Sequence, residues 1–97
     1  MSKSDALRAR FPLGHIVATP GALAEFARAG EEPLSYLSRH VRGDWGDLCE
    51  DDKKENELSV SQGLRILSAY TLSTGVKIWI ITEADRSSTC VLLPREY

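Results

Sequence analysis

The sequence predicts an α+β domain: a short N-terminal strand, three helices, then a three-stranded antiparallel meander, with the helices packed on one face of the sheet. Three observations carry this. Between residues 19 and 63 apolar residues recur at helical spacing, in segments punctuated by Pro and Gly. After Gly63 the period changes to alternation, in three runs rich in β-branched and aromatic residues. The 97 residues are enough for one hydrophobic core and one domain.

Residues 1–10 are expected to be a flexible segment, because Met1 to Asp5 lack periodic apolar residues; residues 11–97 form the domain. "HIVA" reads as a strand. Thr19 then stands as a helix N-cap, with Pro20 where a missing N–H costs nothing, Leu23, Phe26 and Ala27 at helical spacing, and Gly30 as the stop. "EEPLSYLSRHVRG" repeats the grammar. Pro33 opens it, Leu34, Leu37 and Val41 make the stripe, and Arg39, His40 and Arg42 suit the negative end of the dipole. "GDWGD" is a turn, with Asp47 as cap for a third helix over 48–62. That helix is expected to touch the core only at its ends, through Leu48, Cys49, Leu58 and Val60, and to present a wet acidic middle. Gly63 ends it. "RILSAYTL" and "VKIWIITE" join through "STG" at hairpin length. Val76, Ile78 and Ile80 share one face and Trp79 and Ile81 the other, which predicts a central strand covered on both sides. "ADRSS" is a polar connection to a last strand that Pro94 confines to an edge or an end.

Charge narrows the function classes. Net charge is −2, yet residues 44–57 hold seven of the fourteen acids against two lysines, leaving the rest of the chain net basic. An isoelectric point of about 5.6 and an acidic stripe disfavour direct nucleic-acid binding. The longest strongly apolar run, Ile78 to Ile81, is far too short to cross a membrane. No charged stretch leading into an apolar one opens the chain, so Cys49 and Cys90 are expected as reduced thiols in a cytoplasmic protein.

Most site chemistry finds no pattern. The two Cys and two His lack zinc spacing, and "TPGAL" and "STGVK" lack the glycine–lysine pattern of a phosphate loop. "DWGDLCEDDKKE" has the length of a calcium loop but puts Gly46, Leu48 and Cys49 where ligands and the turn glycine belong. No catalytic residue, metal ligand or cofactor is assigned. The acidic block reads either as a solvated turn and helix, with Trp45 folded back into the core, or as a docking surface for a basic protein, with Trp45 standing out as its anchor. The expected contact set is Asp44, Trp45, Asp47, Glu50, Asp51 and Asp52, with Glu83, Asp85 and Arg86 at the hairpin tip as a second contact surface. Oligomeric state stays open, a homodimer included.

Four stretches, "GHIVATPGAL", "RHVRGDWGDL", "RILSAYTL" and "KIWIITEADRSSTCVLLPREY", make the chain resemble, from Phe11 onwards, a family of short bacterial plasmid-related proteins from mobile elements. That family brings no agreed activity and no catalytic residues. The resemblance implies a setting in which small proteins inhibit host defences or regulate transfer of the element. The expectation is therefore a non-enzymatic protein-binding module, an inhibitor of a CRISPR or restriction system. The alternative is a metal-assisted nuclease using Asp44, Asp47 and Asp51, or an RNase like the small ribosome-dependent toxins. The element order resembles those toxins, but they are strongly basic and this chain is not.

Overall fold

A computed structural model describes residues 9–97. The elements follow the expected order: β1 (His15–Ala18), α1 (Pro20–Ala29), α2 (Pro33–Val41), α3 (Glu50–Gln62), β2 (Ile66–Thr71), β3 (Lys77–Thr82), β4 (Ser88–Leu92) and a final 3₁₀ turn, Pro94–Glu96. β2, β3 and β4 form the antiparallel meander. β1 adds a fourth strand, parallel to β4, so the sheet is mixed with order β1-β4-β3-β2. That placement decides between the two expectations for Pro94, in favour of a strand end over a strand edge. β4 is an interior strand, and Pro94 falls just beyond its end, where no ladder N–H is lost.

The helix ends obey local chemistry. Thr19 Oγ1 accepts from the Ala22 N–H and donates to the Glu96 carboxylate at 2.6 Å, joining the start of α1 to the chain's last turn. Gly30 and Gly63 close α1 and α3 in the left-handed region, at φ 69° and 70°. The N-cap of α3 is Cys49, not Asp47, and no side chain caps it. Asp47 instead accepts from the Thr71 hydroxyl at 2.8 Å.

α1 and α2 cover one face of the sheet. Ala22, Phe26, Tyr36 and Leu37 pack there against Tyr70, Ile78, Ile80 and Val91. The stripe of α2 is rotated from its expected position. Tyr36, Leu37 and His40 are buried, whereas Leu34 is 71% exposed. Polar tips decide this rotation, since Tyr36 reaches the Glu31 carboxylate and His40 reaches Ser68 and Thr82 inside.

α3 does not lie on that face but runs along the outer edge of β2, a correction to the expectation that all helices share one face. It meets the interior near both ends, where Leu48 and Val60 pack as expected on the cluster of Phe11, Trp45 and Ile66, and also at its middle, on the β2 edge. Asn56 is buried there while Leu58 is half-exposed. The Asn56 amide donates to Leu67 O at 2.7 Å and accepts from Leu67 N at 3.2 Å, as a neighbouring strand would. One step along, Ala69 N donates to Trp45 O and Ala69 O accepts from Asp47 N. The outward groups of Leu67 and Ala69 are thus all paired, which covers the middle of the β2 edge. The sheet's second face is only partly covered. Ile81 and Leu92 are buried on it, but Trp79 is only half-buried, so β3 is central without being fully enclosed.

Candidate binding cleft between the third helix and the sheet

The acidic block separates into a structural half and a free half. Trp45 is 4% exposed, stacked on Phe11 with ring centroids 6.2 Å apart, and its indole N–H donates to Glu57 at 2.9 Å. This overturns its expected role as an exposed anchor. An indole flanked by glycines folds inward here because Gly46 (φ 77°) lets the backbone pass against β2, where a Cβ would overlap the Ala69 carbonyl oxygen. Arg39 grips the Asp44 carboxylate and holds it below its usual range, while Asp44 in turn accepts from the Gly46 N–H. Glu57 receives both guanidinium nitrogens of Arg10, at 2.9 and 2.7 Å, and its carboxyl is lowered likewise, chiefly by that contact. Arg10 also donates its backbone N–H to Val41 O, so the last position of the expected flexible segment is anchored; residues 1–8 lie outside the described residues. Of the predicted contact set, Asp44, Trp45 and Asp47 therefore hold the turn together. Glu50, Asp51 and Asp52 stand exposed in the first turn of α3, where acids also suit the helix dipole.

The hairpin tip is similarly committed. Arg86, at φ 61°, turns inward and donates to Ser59 O at 2.8 Å and Leu64 O at 2.6 Å, neutralising the carbonyl end of α3. Glu83 pairs with Arg65 at 3.1 Å. Asp85 is exposed, its carboxyl lowered by Ser87, whose backbone N–H it accepts. The second contact set thus contains one exposed acid and two residues bound within the fold. Asp85 remains available to a partner.

The open feature lies elsewhere. Between α3 and the second face of the sheet runs a cleft of about 360 Å³, lined by Leu48, Asp52, Glu55, Asn56, Ser59, Arg65, Leu67 and Trp79. Asp52, Glu55, Asn56 and Ser59 recur at the i, i+3, i+4, i+7 spacing of one helical face, which makes that face the acidic wall. Trp79 and Leu67 lie on the facing surface of the sheet, with Arg65 beside them, tied to Glu83 and to the Tyr97 hydroxyl. Tyr97 packs edge-on against Trp79 with centroids 5.7 Å apart. Among the described residues, neither Asp52 nor Glu55 enters an ion pair, and the Trp79 indole donates to no group. The two tryptophans thus differ in burial: the one in the acidic turn is core, and the one in the central strand is half-buried and lines the cleft.

A buried polar chain lies under α2. His40, fully buried, meets Ser68 Oγ at 2.6 Å through Nδ1 and Thr82 Oγ1 at 2.9 Å through Nε2; Thr82 meets Thr89, and Thr89 donates to Leu13 O. Counting protons fixes the directions. The Thr89 hydroxyl is spent on a carbonyl, so Thr82 donates to Thr89, His40 Nε2–H donates to Thr82, and Nδ1 accepts from Ser68. Burial drives the imidazole's pKa down to about 4. His40 is therefore neutral and structural, not the helix-end cation its position suggested. Serine and histidine here are sealed from solvent, with no route to a substrate. Cys49 is exposed and Cys90 half-buried, both free thiols. Among the described residues no three His, Cys, Asp or Glu side chains converge as metal ligands, and no helix is long and apolar enough to cross a membrane.

No protein-family model, curated protein or solved structure matches this chain.

Proposed function

We propose that the protein is a non-enzymatic binding module that takes a basic segment of a protein partner into the cleft between α3 and the sheet. The observation behind this reading is a half-buried indole, Trp79, that lines the floor of a groove whose helical wall carries the exposed Asp52 and Glu55. A cation over an indole face gains about 0.5–2 kcal/mol, more as the site is desolvated. A carboxylate beside it adds a charge-assisted hydrogen bond. Glu50 and Asp51, one turn towards the helix start, extend the negative field and steer a basic partner towards the groove. The family resemblance supports a host defence complex as that partner, its inhibition being the biological outcome. The competing reading, a metal-assisted or toxin-like nuclease, has no comparable observation behind it, because Asp44 and Asp47 are bound within the turn.

The test is a titration of the protein with an arginine- and lysine-rich peptide, followed by the Trp79 indole N–H resonance. We expect that resonance to move while that of Trp45 stays still. Trp79→Ala, and separately Asp52→Lys with Glu55→Lys, should each weaken binding at least tenfold with the fold retained. An unmoved Trp79 signal, or equal binding by the charge-reversed protein, rejects the cleft.

A further inference from the structure

The two ends of the sheet are treated in opposite ways. At β2 every outward backbone group of Leu67 and Ala69 has a partner. At β1 none of the described residues supplies one. His15 N donates to Ser87 O and Thr19 N to Val91 O, so the odd-numbered residues of β1 face β4, and Ile16 and Ala18 direct N–H and C=O away from the sheet. Ile16 and Val17 are 51% and 50% exposed, on opposite faces of the strand. The usual guards of such an edge (a lysine, a proline within the strand, a bulge) are missing from "HIVA". No charged residue occurs from Phe11 to Ala24.

We propose that β1 is the interface of a homodimer, in which two copies pair β1 with β1 antiparallel about a two-fold axis to make one continuous eight-stranded sheet. Geometry selects the register. Outward groups belong to Ile16 and Ala18, so Ile16 of one copy lies opposite Ala18 of the other, and Val17 meets its own counterpart on the axis. This register uses only residues within the strand, whereas one centred on Ile16 would need Gly14, which leaves the strand conformation at φ 65°. Charge selects the occupant. A neutral edge gives a charged peptide nothing to pair with but meets a second neutral edge without repulsion. α3, with five acids against two lysines, flanks β2 at the opposite end of the sheet. Joining through β1 therefore sets the two acidic helices as far apart as the sheet allows. Four residues per strand make a small interface, so the dimer is weak and concentration-dependent, with a dissociation constant on the order of 10–100 μM.

Sedimentation equilibrium from about 10 μM to 1 mM tests this. Dimer should appear across that range for the native chain and be lost, by tenfold or more in association constant, in Ile16→Lys with Val17→Lys. Both positions are half-exposed, so the variant should keep its circular dichroism spectrum. Should it misfold instead, amide exchange on the native chain decides. The Ile16 and Ala18 amides should exchange several-fold more slowly at 1 mM than at 10 μM, with Val17 unchanged. A native chain that stays monomeric to 1 mM, a dimer that survives the lysines, or exchange at Ile16 indifferent to concentration overturns the proposal. None of these outcomes bears on the cleft.

Discussion

Protonating His40 would place a donor on each ring nitrogen, and Nδ1–H would then face a Ser68 hydroxyl that donates in the native chain. The consequence for stability has a definite sign. The folded pKa, about 4, lies below the unfolded value near 6.5, so the unfolded chain binds the proton first. Stability is complete above pH 6.5 and falls as pH drops towards 4, by about 3 kcal/mol from this group. Urea unfolding at pH 7 and at pH 4.5 should show most of that loss, and His40→Gln should flatten the dependence. The neighbouring keystone is Glu57. Its removal by Glu57→Ala leaves the buried Trp45 N–H without its acceptor and should cost about 1–3 kcal/mol, with red-shifted indole emission. The exposed Arg10 pair contributes little of that. Neither role was legible in the sequence, because both depend on partners far along the chain. His40 meets residues 28 and 42 positions away, and helix-end position alone suggested a cation.

At the scale of elements, the helices and strands were readable from caps, prolines, glycines and the change of period, since those signals act within a few residues. The misplaced features depend on what an element meets. The polar middle of α3 looked like a wet surface because the sequence cannot show that one amide, Asn56, would replace a strand at the β2 edge. Asn56→Ala should expose Leu67 N and O, cost about 1–2 kcal/mol and raise the tendency to aggregate, measurable as a lower urea midpoint and increased light scattering on heating. The "GDWGD" turn is the other support of this edge. Gly46→Ala forces a positive φ on a residue with a Cβ and drives that Cβ against Ala69, so it should cost at least about 2 kcal/mol by the same unfolding measurement. The N-terminal strand was expected, but its parallel seat beside β4 was not, because a four-residue run carries no signal for which strand it will join.

For the molecule as a whole, negative charge and the half-buried indole gather on the α3 side, and neutral backbone edge on the β1 side. Binding through the cleft should be electrostatically steered. Raising salt from 0.05 to 0.5 M should slow association of a basic partner more than it hastens dissociation, a difference that stopped-flow kinetics resolves. The candidate site was half legible. The exposed charge of Glu50, Asp51 and Asp52 was readable, but "GDWGD" allows its ring to face either way and "KIWII" advertises a covered one, whereas Trp45 packs inside and Trp79 lines the cleft. The pairing of Leu67 and Ala69 has a further consequence. With those outward groups occupied at one end of the sheet, little of that edge is left to template another strand, whereas β1 keeps its outward row. The asymmetry works against the runaway stacking into fibrils that two fully open ends would invite.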